Sequence, residues 1–130
     1  MSVDMIGNFL TVIRNGVKVS RPFVVTPHSK MNKAIAAILL HEGFIRNIEE
    51  VEHDGKKQLK ITLKYVDGES VIHDLKRISK LSRRTYAGFK DIRPVIGGLG
   101  LSILSTNQGI ISHKQAKKLG VGGEIICTVW

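Results

Sequence analysis

Five consecutive residues, Ser105-Thr106-Asn107-Gln108-Gly109, bring two hydroxyls and two amides into one polar turn. Hydroxyls and amides both donate and accept hydrogen bonds. Groups of that kind read 2′-hydroxyls and base edges in the shallow minor groove of RNA, which a point charge does not. Turns favour Ser, Asn and Gly for backbone reasons alone, so a plain hairpin loop accounts for the same residues equally well. A little further on, Gly120, Gly122 and Gly123 precede Glu124. Glycine permits close backbone approach, either to a neighbouring strand or to a ligand. Glu124 is one of two acids in residues 76–130. It is placed to accept from a base amino group or a 2′-hydroxyl, to hold an arginine, or to form a strand-end ion pair.

The charge around these groups is lopsided. The 130-residue chain carries a net +9. Residues 1–75 hold ten Lys/Arg and nine Asp/Glu, whereas residues 76–130 hold ten Lys/Arg and two Asp/Glu. Surfaces shaped for solubility intersperse both signs, so a polyanion on one side of the molecule is the better reading. Residues 76–93 contain Lys76, Arg77, Lys80, Arg83, Arg84, Lys90 and Arg93 against Asp91 alone, with Ile78, Leu81, Tyr86, Phe89 and Ile92 interleaved. A disordered basic tail would lack such anchors. Lys80, Arg83 and Arg84 suit phosphate contacts. The Tyr86 ring either stacks on an unpaired base, for about 1–3 kcal/mol, or belongs to the core.

Enzyme readings fail on specifics. There is no G-x-x-x-x-G-K-S/T phosphate loop, and Gly98-Leu99-Gly100 lacks the third glycine of a dinucleotide fingerprint because position 103 is Ile. The five histidines, His28, His41, His53, His73 and His113, show no metal-ligand spacing. Cys127 is the only cysteine, which rules out an internal disulfide and a thiolate zinc cluster. It falls on one face with Ile125 and Val129, the position of a small buried residue. No cofactor and no metal are expected. No apolar run approaches the roughly 20 residues of a membrane span, and the first residues show no charged-then-apolar leader.

The elements that must position these groups follow from periodicity. Ile6, Phe9, Leu10 and Ile13 form one stripe of an amphipathic helix. Asp4 sits at its start, and Gly16, after Arg14-Asn15, is expected as its left-handed terminator. Residues 22–26 read as a short strand. Ser29 is suited to cap a helix over 30–41 that has Met31, Ile35, Ile38 and Leu39 on its apolar side and ends at Gly43. Residues 44–52 and 57–66 read as strands joined through His53-Asp54-Gly55-Lys56, since Asp-Gly supplies positive φ. Asp67-Gly68-Glu69 turns into a strand over 70–77. Beyond Pro94, residues 101–104 and 109–112 form a hairpin, followed by a helix near 112–119 and a strand near 124–130. The fold class is α+β: an α-β-α-β-β lobe over 1–75 and a basic, mainly β lobe with a short helix over 76–130. Each lobe is marginal in size alone.

The residues then resemble a known family, the eighth protein of the small ribosomal subunit in its bacterial or organellar form. The similarity runs through Asp4-x-Ile6, Leu10-Thr11-x-Ile13-Arg14-Asn15-Gly16, Glu42-Gly43-Phe44-Ile45, Leu63-Lys64-Tyr65 and Arg77-Ile78-Ser79. It closes with Gly98-Leu99-Gly100, Ser105-Thr106-x-x-Gly109 and Gly122-Gly123-Glu124-Ile125. The resemblance implies direct binding to a helix in the central domain of small-subunit rRNA and contact with neighbouring proteins, including the fifth of that subunit. It implies an RNA role for Ser105, Thr106, Asn107 and Gly109, for Tyr86, and for Gly122, Gly123 and Glu124. Lys30 and the Arg14-Asn15 helix end are weaker candidates. Three positions depart from the family pattern. Lys80-Leu81-Ser82 replaces a usual Pro-Gly, Gln108 stands where a basic residue is common, and His113-Lys114 replaces an acid.

The expected function is therefore that of a structural, non-enzymatic rRNA-binding protein, monomeric within the ribosome of a cytoplasm or an organelle. A nonspecific basic nucleic-acid binder, acting as a regulator or chaperone, needs only the charge asymmetry. An enzyme acting on a phosphorylated small molecule at residues 120–123 is the remote third reading.

Overall fold

Two compact units divide the chain between His73 and Asp74. The structure, a computed structural model, describes residues 5–80, 82–92 and 100–130, with Phe89 described by its backbone alone. Asp4, Leu81, Arg93, Pro94 and the Gly98-Leu99 pair lie outside the described residues. The architecture is α+β. Its first unit begins α-β-α-β-β, and its second is a mainly β sheet with a short helix.

In the first unit, helix α1 spans Met5–Lys18. Strand β1 (Phe23–Pro27), helix α2 (Lys30–His41), β2 (Ile45–His53) and β3 (Lys56–Leu63) follow. The sheet order is β1-β3-β2, all antiparallel. Apolar residues of both helices meet the inner sheet face. Phe9, Leu10 and Ile13 from α1, Ile35 and Leu39 from α2, and Leu59 and Ile61 from β3 are all essentially fully buried. Met31 is 41% exposed and stands outside the apolar stripe expected to contain it.

Helix ends show which local chemistry wins. The Ser29 hydroxyl accepts from the Asn32 N–H at 3.0 Å and caps α2. Its other end closes with Phe44 N–H donating to Leu39 O and Gly43 N–H to Leu40 O, a Schellman motif with Gly43 at φ +82°. Gly16, by contrast, does not terminate α1. The helix runs one further half-turn, so Arg14 and Asn15 lie inside it rather than at its end. The left-handed residue is Ser20 at φ 55°, with Arg21 N–H donating to Gly16 O and Ser20 N–H to Val17 O. Gly16 is needed for proximity instead. A Cβ there would lie 2.4 Å from Val24 Cγ1 and 3.3 Å from Leu63 Cδ1.

Opposite effects are therefore expected at two neighbouring positions. Gly16→Ala should lose about 1–3 kcal/mol by overpacking, although alanine is the better helix former. Ser20→Gly should gain up to about 1 kcal/mol by removing a left-handed non-glycine residue. Urea unfolding midpoints measure both, and a stabilised Gly16→Ala protein would show that the α1–β1 approach is looser than 2.4 Å implies.

The strand boundaries differ in places from the sequence pattern. The 57–66 run ends at Leu63, and Tyr65–Val66 (β4) pairs with Glu69–Ser70 (β5) in a separate hairpin. Its turn residues Asp67 and Gly68 both take positive φ, as do Asp54 and Gly55 between β2 and β3. The expected strand over 70–77 is also interrupted, at residues 71–74. Ser70 ends β5, and Leu75–Arg77 (β6) is a separate strand that belongs to the second unit's sheet.

In that sheet, β10 (Gly123–Val129) is central. On one side it pairs with β8 (Leu101–Thr106), which pairs with β9 (Gly109–Ser112). On the other side it pairs with β6 near its end and with β7 (Tyr86–Ala87) near its start. A 3-10 turn, Phe89–Asp91, follows β7. Helix α3 (His113–Leu119) is capped by the Ser112 hydroxyl and ended by Gly120 at φ 69°. A register shift between Ile125 and Cys127 breaks the expected alternation. Ile126 and Cys127 are consequently both buried, while Ile125 is half-buried. Burial pushes the Cys127 thiol up to about 12, so it is a packed, un-ionised side chain.

Candidate nucleic-acid interface

Pairing across the sheet places three of the expected site residues in one row. Glu124 is opposite Tyr86 on β7 and opposite Ser105 on β8, and Ser105 is opposite Ile110 on β9. Directly paired residues project from the same sheet face. The adjacent residues Ala87, Ile125, Leu104 and Ile111 belong to the other face, where they pack with Ala116 of α3 and Ile92. The Tyr86-Glu124-Ser105 row therefore lies on the face that α3 leaves uncovered. Tyr86 is 69% exposed, which settles its alternatives in favour of a surface ring.

Glycines set the spacing of that row. A Cβ at Gly123 would lie 2.2 Å from Ser105 O, and one at Gly122 would lie 2.3 Å from Ala87 O. The glycines thus admit neighbouring strands, one on each side of β10, rather than opening a ligand cradle. Gly120 has a separate task as the left-handed end of α3.

The polar turn is tighter than its five-residue sequence suggests. Ser105 and Thr106 complete β8, and Gly109 opens β9, leaving Asn107-Gln108 as the tip. Thr106 Oγ1 donates to Gly109 O at 2.9 Å and accepts from the Gln108 N–H at 3.1 Å. Its proton is spent on the turn, so Thr106 shapes the tip more than it reads a partner. Gly109 takes φ +101°, which a side chain would resist. Asn107 projects an exposed amide from the tip, and the half-buried Ser105 hydroxyl lies in the row beside Glu124.

Between β6 and β7 the chain leaves the sheet and returns. Ser79 N–H donates to Ile125 O, and Thr85 O accepts from Ile125 N–H, each at close to hydrogen-bond optimum (3.0 and 2.9 Å). Inside this excursion Lys80 and Arg83 exchange both backbone bonds, at 2.9 and 3.1 Å. The exposed Lys80, Arg83 and Arg84 are thereby held on a closed turn beside Tyr86. The Lys80–Arg83 backbone pair thus closes the turn without the family's Pro-Gly.

Ser79 is the hub that sequence reasoning missed. It is 1% exposed. Its hydroxyl accepts from the Thr85 N–H at 3.1 Å and donates to Glu124 Oε2, while its carbonyl accepts from Arg77 Nε. Glu124 Oε2 also accepts from Arg84 Nη1 at 2.9 Å. The Ser79 hydroxyl first, and then the Arg84 guanidinium, hold the Glu124 carboxyl below its ordinary value against the opposing effect of burial. Glu124 therefore fixes an arginine, one of the roles open from its sequence. A serine in a basic run gives no sign of such a role; the only cue was its place in the Arg77-Ile78-Ser79 match.

His113 is a second residue without a sequence cue. Its ring, 6% exposed, accepts the Ser102 N–H at Nδ1 over 3.1 Å. This serves a β8 amide just beyond the last β9 pair, Ile103 with Ser112. The basic first residue of α3 is thus structural. Lys30, Arg14 and Asn15 are exposed, but they belong to the first unit and are not part of this row. Among the described residues no cluster of His, Cys, Asp and Glu could hold a metal ion, and no helix is long and apolar enough to cross a membrane.

The ribosomal protein S8 family model matches residues 4–130. The small ribosomal subunit protein uS8 of Caldanaerobacter subterraneus subsp. tengcongensis is 52% identical over 129 residues, covering 98% of this chain and 97% of the relative. Its counterpart in Thermus thermophilus is 45% identical with both chains fully covered. That of Maricaulis maris is 47% identical, with 99% of each chain covered.

Proposed function

Because the chain belongs to the ribosomal protein S8 family, and is therefore a non-enzymatic structural protein of the small ribosomal subunit, we propose that its second unit binds one helix of the central domain of small-subunit rRNA and so supports assembly. The observation that carries this reading is the row of Tyr86, Glu124 and Ser105 across three adjacent strands. The Asn107 tip flanks it on one side and the Lys80-Arg83-Arg84 turn on the other. Cations grip phosphates, whereas the ring, hydroxyl and amide suit unpaired bases and 2′-hydroxyls. Gly109, Gly122 and Gly123 serve the site through backbone geometry. Lys30, Arg14 and Asn15 supply separate contacts from the first unit, and neighbouring proteins, including the fifth of the subunit, complete the surroundings. The division of labour assigns RNA specificity to the basic lobe, residues 76–130.

The charge asymmetry alone also suits a nonspecific nucleic-acid binder, and one titration separates the two. Binding to a central-domain rRNA helix is measured across a salt series, with an equal-length perfect duplex as competitor. About five phosphate contacts give a log–log salt slope of roughly 4. Asn107→Ala and Thr106→Ala should weaken cognate binding more than duplex binding, the first by losing a reading group and the second by loosening the tip. Arg83→Ala should weaken both and reduce the slope by about 1. Equal losses on every RNA for all three variants would leave only a basic surface.

A further inference from the structure

Strand β1 is an edge strand, and the pairing register identifies which of its main-chain groups are unused. It contacts β3 alone in the order β1-β3-β2. Leu63 N–H donates to Pro22 O and His28 N–H donates to Lys57 O, so the even-numbered residues of this strand make the ladder bonds. The N–H and C=O groups of Phe23 and Val25 consequently point away from the sheet. Pro27 closes one end, since on the outward parity proline offers no donor, and at the other end the Arg21 N–H is taken by Gly16 O. The window between them holds two free N–H groups.

A groove of about 580 Å³ runs along this window. Val12 and Asn15 of α1 and Val19 just beyond it line the groove together with Phe23 and Val25 of β1 and Arg21. Val19 is 65% exposed, Phe23 43% and Val25 40%, an unusual apolar exposure for one short stretch. Among the described residues no acid lines the groove, and the Lys60 ammonium adds positive charge 4.4 Å from the Phe23 ring centroid.

We propose that this edge receives an extended segment of a neighbouring protein of the small subunit, apolar at alternate positions and carrying an acidic residue for Arg21. Only an extended backbone matches outward N–H and C=O groups at the two-residue repeat of Phe23 and Val25. Alternate side chains of such a segment would enter the groove between Val12 and Val19. Asn15 and Arg21 are the polar side chains of the lining and valine and phenylalanine make up most of the rest, a surface better suited to alternate apolar side chains than to a phosphate backbone. The proposal depends on membership of the subunit and not on the rRNA-binding reading of the second unit.

Amide hydrogen exchange tests it residue by residue. Exchange is run on the free protein, on its complex with naked central-domain rRNA, and on small subunits reconstituted from purified components. The Phe23 and Val25 amides should exchange freely in the first two and slow by at least about tenfold in the subunit. The Val24 and Thr26 amides, already in the ladder, serve as the protected reference. Val25→Pro removes an outward N–H without touching the β1–β3 ladder. The variant should keep its fold by circular dichroism and still enter subunits by sedimentation, but lose the protection at Phe23. Unchanged exchange in the subunit would leave β1 as a guarded edge only. Protection by naked rRNA, or by raising the concentration of the free protein, would give the edge to nucleic acid or to a second copy. Each of these results overturns the proposal. RNA affinity is measured separately, so a failed rRNA reading leaves the edge result interpretable.

Discussion

Gly123→Ala should remove cognate RNA binding and cost about 2–3 kcal/mol of stability, through overpacking against a backbone that cannot yield. Its new Cβ would sit 2.2 Å from Ser105 O and 3.0 Å from Thr106 Cγ2. The first obstacle is a ladder carbonyl in β8, so relief requires β8 and β10 to separate at the row that carries Ser105 and Glu124. Gly120→Ala is the matched control. It has nothing within 4 Å and is opposed only by its φ of +69°. That strain costs about 1–2 kcal/mol, and RNA affinity should stay within about twofold of the parent, ~0.4 kcal/mol. Melting curves and titration with the rRNA helix read both variants. A Gly123→Ala protein that melts and binds like the parent would mean that the β8–β10 approach does not constrain the site.

Elements with a strong period or a stereochemical terminator were legible from residue types. The α1 stripe, the Ser29 cap, Gly43 and the Asp54-Gly55 hairpin all follow from local chemistry. Gly16 shows the limit of such reading. A glycine after Arg14-Asn15 suits a left-handed end, but β1 lies so close that glycine is required inside the helix, and Ser20 takes the left-handed position instead. The alternation over 57–66 continues through Tyr65, yet the strand ends at Leu63 and the Tyr65 hydroxyl donates to Arg21 O at 2.6 Å. Residue types also pointed to the polar tip, the basic segment and Glu124. What they did not give is the sheet order. Tyr86 and Ser105 become neighbours of Glu124 only because β7 and β8 pair with opposite edges of β10. Ser79 is invisible for the same reason, since its partner lies 45 residues away.

Glu124→Gln should weaken cognate binding without weakening nonspecific binding. The change raises net charge from +9 to +10, which favours any phosphate backbone. It also removes the carboxylate that holds Arg84 at 2.9 Å. Affinity for the rRNA helix should fall by about tenfold, ~1.4 kcal/mol, while affinity for a perfect duplex stays level or rises slightly. In an Arg84→Ala background the same substitution should have little further effect on cognate binding, because the two side chains act as one unit. The pH dependence has a definite sign. A carboxylate held below its ordinary value of 4.5 stabilises the fold above that value and loses this contribution as pH falls through the lower folded value. The parent should therefore melt above Glu124→Gln near neutral pH, and the gap should close on acidification below 4.5. Tighter binding of the variant to both RNAs would reduce Glu124 to a charge that merely weakens phosphate contacts. Arg84 would then owe its position to groups other than Glu124.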